Sequence, residues 1–216
     1  MKYRQFNFWL ILGALVCSSC AGENALSTSQ SNSNRTNAAV NSVAVTTPPP
    51  PANVAARREP DVPYVPTHEM VVDEMLKMAQ VKGTDVLYDL GSGDGRIPIT
   101  AAKRFGTHGV GIDINPLRVK EANENAVKAN VTDKVRFIEG DLFKENFSEA
   151  TVVTLYLLPD INLKLRPQLL SQLKPGTRVV SHNYDMGDWQ PEQAKTVTTP
   201  DGVDHFVYFW RVPERK

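Results

Sequence analysis

Residues 85 to 105 constrain this chain more than any other stretch. Asp85 to Asp89 read as an apolar strand, and Gly91, Gly93 and Gly95 follow at alternate positions. Arg96 to Phe105 then carry apolar Ile97, Ile99, Ala101, Ala102 and Phe105 at helical spacing. Strand, glycine turn and helix in that order make a nucleotide-cradling turn inside an α/β fold. A side chain at Gly91 or Gly93 would keep a ligand from the main chain and oppose the positive φ that such a turn uses. The helix is expected to aim its free N–H groups at the ligand.

Spacing separates two ligand classes. A dinucleotide fingerprint, G-x-G-x-x-G, would place its third glycine at position 96, which is Arg96. Here the third glycine comes one residue early. A second apolar strand, His108 to Ile114, holds Asp113 at its tip, 22 residues after Gly91. An acid there can accept both hydroxyl protons of a ribose. It can also cap the following helix, but Asn115 before Pro116 already fills that role. A third strand runs from Val135 towards Asp141, and a fourth, Thr151 to Leu158, is apolar enough to be buried on both faces.

The pattern D-x-G-x-G-x-G, Asp89 through Gly95, resembles motif I of the class I methyltransferases that use S-adenosylmethionine (SAM). That resemblance implies a single-domain, Rossmann-like α/β sheet of seven strands in the order 3-2-1-4-5-7-6, with the last strand antiparallel. It implies a cofactor site of Asp89, Gly91, Ser92, Gly93, Gly95, Asp113 and Ile114, with Asp141 at the adenine amino group and Leu142 against the ring. Three segments resemble one subgroup more narrowly: Val62 to Thr67, Asp89 to Arg96, and Leu173 to Val179. They are similar to the small protein lysine methyltransferases related to the ATP synthase c-subunit enzyme and its archaeal relatives. By that analogy Tyr64, Pro66 and Thr67 fold over the methionyl end of SAM. The alternative is that Pro63 and Pro66 only hold an extended lead-in, with Thr67 capping the first helix.

The acceptor side is less legible. Methyltransferases of nucleobase amino groups carry a D/N/S-x-P-aromatic motif after strand four, whereas this chain reads Leu157, Leu158, Pro159, Asp160. Base N-methylation loses its main support there. Tyr156 and Pro159 are the acceptor-side candidates at this exit. Asp185, Asp188 and Trp189, in the polar and aromatic run after strand five, are candidates for receiving a lysine ammonium by charge and cation–π contact, or else turn residues. The expected activity is N-methylation of a protein lysine. The alternatives are transfer to a small molecule or lipid lined by Leu157 and Leu158, and a tethered binding module without catalysis.

The remaining segments frame the domain. Lys2 and Arg4, an apolar run from Phe8 to Val16, and Cys17 to Cys20 read as an export signal, 1 to 20, too short to span a bilayer. Cys20 resembles the acylated cysteine of bacterial lipoproteins, which implies an exported protein anchored to the membrane by lipid. Simple secretion is the alternative. Residues 21 to 60, rich in Ser, Asn, Thr and Pro, read as a disordered tether, and the methyltransferase domain is expected over 61 to 216. Export raises a supply question, since SAM is made in the cytoplasm. Removing residues 1 to 19 leaves 22 basic residues against 24 acidic ones, and no basic run suits a nucleic-acid partner. His68, His108, His182 and His205 lack ligand spacing, and the only cysteines are Cys17 and Cys20, so no metal is expected.

Overall fold

A computed structural model describes residues 59–215 of the protein. The expected signal, Cys20 and the tether up to residue 58 lie outside the described residues. Eleven elements follow in order: α1 (Glu69–Met78), β1 (Val86–Leu90), α2 (Arg96–Phe105), β2 (His108–Asp113), α3 (Pro116–Ala129), β3 (Val135–Glu139), β4 (Val152–Leu155), α4 (Pro159–Gln172), β5 (Arg178–His182), β6 (Gln193–Thr198) and β7 (Asp204–Arg211). The strands form one sheet in the order β3-β2-β1-β4-β5-β7-β6, as the motif resemblance implies. Strands β1 to β5 pair in parallel, and β7 runs antiparallel to both β5 and β6.

Both sheet faces are covered, which is why the central strands are apolar throughout. Leu87, Val152, Val180, Val207 and Phe209 pack under α1 and α2. On the other face Leu90, Ile112, Val153, Leu155, Val179 and Trp210 meet Phe147 and the Ile161, Leu165 and Leu169 stripe of α4. The sheet order reverses between β1 and β4, so the carboxyl ends of these strands and of β2 border an open crevice.

Two boundaries beside the crevice differ from expectation. Strand four stops at Leu155, where its partner β1 stops at Leu90, so Tyr156 to Leu158 leave the sheet unpaired at the crevice. Helix α4 begins at Pro159, not near Ile161, because proline at the first helical position is pre-set for the helix and loses no needed N–H. The cap of α1 is His68, whose side chain accepts from the Met70 N–H, and not Thr67.

The motif resemblance places Gly95 against the cofactor. It heads α2 with φ 78°, and a Cβ there would come 2.5 Å from the Phe137 ring and 2.9 Å from Ala122. It is the point where the head of α2 packs onto β3 and α3. Gly95→Ala combines left-handed strain with overpacking and should cost about 2–4 kcal/mol, read as a lower urea midpoint at unchanged slope.

Candidate active site

The glycine loop spends its donors on the protein itself. The N–H groups of Gly91 and Ser92 both donate to the Ile112 carbonyl, at 2.9 and 3.0 Å. The Gly93 N–H donates to Asp113 Oδ2 at 2.8 Å. Further on, the Gly95 N–H donates to the Ser92 carbonyl and the Arg96 N–H to Asp94 Oδ1. These amides are therefore not the free anion cradle that a strand-turn-helix suggests, and the surrounding acids point to a cationic ligand instead. The other oxygen of Asp113 accepts from the Asn115 N–H at 2.9 Å, while Asn115 itself caps α3 through the Leu117 N–H.

Residues 60–67 cross above this loop as a strap. The Tyr64 ring lies so close over Gly93 that a Cβ there would be 2.4 Å from it, and the Arg118 guanidinium sits 4.5 Å from the ring centroid on α3. Arg96 fastens the strap: Nη1 donates to the Thr67 carbonyl at 2.8 Å, while Nε and Nη2 grip the Asp94 carboxylate at 2.9 and 2.6 Å. Burial works to raise the Asp94 pKa, but Arg96 outweighs it and holds the carboxyl below its ordinary value. The arginine that takes the place of a dinucleotide glycine is thus a structural anchor of the site.

Between strap and sheet lies a cavity of about 470 Å³, within the range of small-molecule sites. Of the residues expected from the sequence, Tyr64, Thr67, Asp89, Gly91, Ser92, Asp113, Ile114, Asp141, Leu142 and Tyr156 line it. Pro66 lines it too. Gly93 and Gly95 shape the loop without lining the cavity. Four acceptor candidates are not brought to it. Pro159 is the first residue of α4. Asp185 accepts from the Gly187 N–H in a turn, and Trp189 packs on Trp210, whose indole N–H donates to the Trp189 carbonyl at 2.7 Å. Asp188, in the same turn, pairs with Arg166. Sequence reasoning missed Asp94, Arg118, Phe143 and Ile161 as wall residues, and only the helical spacing of Arg118 behind Asn115 carried a trace of its position.

Two buried groups show what the cavity is built to hold. Asp89 is 3% exposed and its Oδ1 accepts from the Thr154 hydroxyl at 2.7 Å. Burial above all pushes its pKa up to about 7; the Thr154 hydrogen bond opposes this, and Asp113 and Asp94 add to it. The Ser92 hydroxyl is buried on the cavity wall with no hydrogen-bond partner among the described residues. A partnerless hydroxyl beside a carboxyl that needs a cation fits the amino-acid end of SAM, which carries both an ammonium and hydrogen-bonding oxygens. Asp113 would take the ribose, and Asp141 with Leu142 the adenine. When bound, SAM supplies an electrophilic methyl group on a cationic sulfur.

Because Asp89 binds its proton more tightly folded than unfolded, the empty domain is stabilised most below the unfolded pKa and loses that contribution as pH rises through about 7. Urea midpoints measured between pH 4 and 8 should fall across this window, and Asp89→Asn should remove that part of the fall.

Residues 89–193 match the family described as the ANTKMT methyltransferase domain. A protein-lysine N-methyltransferase of Saccharolobus islandicus is 47% identical over 159 residues, 73% of this chain and 98% of that protein. The ATP synthase C-subunit lysine N-methyltransferase of Rattus norvegicus is 34% identical over 161 residues, 74% of this chain and 70% of the relative. Among solved structures, one described as an RNA methyltransferase from Salinibacter ruber in complex with S-adenosyl-L-homocysteine is 58% identical. It superposes with a TM-score of 0.65 over 70% of this chain and 96% of its own. With this fold, this cavity and these relatives, the chain belongs to the family of SAM-dependent methyltransferases that includes these protein-lysine N-methyltransferases.

Proposed function

We propose that this enzyme transfers the methyl group of SAM to the side-chain amine of lysine in a protein. The observation that carries this reading is the aromatic wall at the acceptor end of the cavity. Tyr156 lines it, with the His182 ring 3.8 Å behind and the Tyr184 ring stacked at 6.4 Å. Burial first, then Tyr184, raises the Tyr156 pKa, so the phenol stays neutral and presents a π face and a hydroxyl. Such a face holds an alkylammonium by cation–π attraction while Leu157 and Ile161 flank the aliphatic stem. The names of the relatives from Saccharolobus islandicus and Rattus norvegicus support the same acceptor. Tyr64, Thr67, Gly91, Ser92 and Asp113 would hold the cofactor, and the chemistry then needs little beyond alignment of a neutral amine with the methyl carbon.

RNA is the second reading, favoured by the description of the Salinibacter ruber protein. Against it stand Leu157, where a base-directed motif needs a polar residue, Asp160, where it needs an aromatic one, and the lack of a net basic charge. Incubation of the protein with radiolabelled SAM, a bacterial protein extract and total RNA separates the readings. Label should appear as methylated lysine after acid hydrolysis of the protein fraction. Label confined to RNA, or to the organic-extractable fraction, overturns the lysine assignment. Tyr156→Ala should raise the KM for the protein acceptor about 5- to 30-fold, the worth of one desolvated cation–π contact, with the KM for SAM little changed.

We also propose that the protein is exported and acylated at Cys20, supported by the basic, apolar and small-residue order of residues 1 to 20. In a bacterial host the full chain should label with palmitate and sediment with membranes, and Cys20→Ala should abolish the label. A cytoplasmic product with its N-terminus intact would overturn this localisation.

A further inference from the structure

A line of hydrogen-bonding side chains leaves the cavity on the α1 face of the sheet and ends near solvent. Thr67 lines the cavity and is 4% exposed, with its Oγ1 3.2 Å from Nδ1 of His182. His182, the last residue of β5, is fully buried, and its Nε2 lies 2.9 Å from Nδ1 of His205. His205, on β7, is half-buried. Burial, then His205, pushes the His182 pKa down to about 3, so this imidazole is neutral and carries one N–H and one lone pair. Both of its nitrogens are engaged, so the chain has two arrangements. Either Thr67 donates to Nδ1 and the Nε2–H donates to His205, or His205 donates to Nε2 and the Nδ1–H donates to Thr67. They differ by one proton shift at each link, and buried polar groups of this kind are costly to bury unless paired.

The surroundings single out this route. Tyr156 packs on the His182 ring from the β4 exit, and Tyr184 stacks beyond it. From α1 and β6, Glu74 is occupied by Lys195, and His68 lies in the field of Asp201 in the turn before β7. Lysine poses a specific demand that this path meets: its amine is an ammonium near neutral pH and must lose a proton before its lone pair can attack.

We propose that Thr67, His182 and His205 form a proton route from the acceptor amine to solvent. This rests on the lysine reading above. The ammonium gives a proton to Thr67 Oγ1, Thr67 passes its own to His182 Nδ1, His182 passes its Nε2 proton to His205 Nδ1, and His205 releases one from Nε2 to water. The freed nitrogen pair then forms the N–C bond as the S–C bond breaks, its electrons staying on sulfur. Thr67 faces the cavity directly, whereas His182 and His205 act through it.

The test is the pH dependence of kcat for the full protein acting on the methyl-accepting protein fraction. His205→Ala should lower kcat about tenfold at pH 7.5, leave the KM for SAM unchanged, and recover towards the unsubstituted enzyme at pH 9.5, where more amine is already neutral. Dissolved imidazole should restore activity at pH 7.5, and pyrazole, of the same size but barely basic, should not. His182→Gln, which keeps a donor and an acceptor but cannot change tautomer, should show the same pH-dependent loss while binding SAM normally. A deficit equal at both pH values, equal rescue by pyrazole, or no deficit overturns the route and leaves the lysine assignment standing. Absence of lysine methylation by the unsubstituted enzyme removes both.

Discussion

One carboxylate holds the site together. Asp113 ends β2, and its two oxygens take the N–H of Gly93 from the glycine loop and the N–H of Asn115 at the head of α3. Loop, strand tip and helix start are thereby joined at a single anionic point, with the Ile112 carbonyl taking the two preceding amides. The loop closes against β2 and cannot swing out into the crevice without breaking several bonds at once. Charge-assisted hydrogen bonds of this kind are stronger than neutral ones, so the floor of the cavity is set before any ligand enters.

The roof is built differently. Residues 60–67 lie over the loop because Tyr64 fills the space above Gly93 and Arg96 ties the Thr67 carbonyl to Asp94. Most of the strap's wall residues are partly exposed, among them Tyr64 at 41% and Val65 at 54%, while Thr67 at its foot is buried. A rigid floor and a roof held at one end are what a site needs if a molecule of SAM's size is to pass in and out.

The central strands were legible because they are apolar runs with punctuation at both ends, and the sheet order because the glycine spacing carried a family resemblance. Asp113 and Asn115 were readable for a local reason: a strand-tip acid and a helix cap act within a few residues of themselves. For Asp185 and Trp189 the sequence left two readings open because composition does not say which way a turn folds, and this one turns towards α4 and Trp210. His182 and His205 looked scattered. They are 23 residues apart, and only the antiparallel pairing of β5 with β7 brings their rings together. Gly95 carries a demand that the motif does not spell out, close packing against Phe137 and Ala122.

The acids around the cavity make it a small ion exchanger. A cation placed beside Asp89 displaces the proton that burial has forced onto that carboxyl, and Asp94 and Asp113 deepen the same well. Methyl transfer from a sulfonium leaves a neutral sulfide, so the spent donor is held by one positive charge fewer than the fresh one. The same carboxylates that draw the donor in therefore loosen their hold when the reaction is over, and turnover is biased by charge before any part of the protein moves.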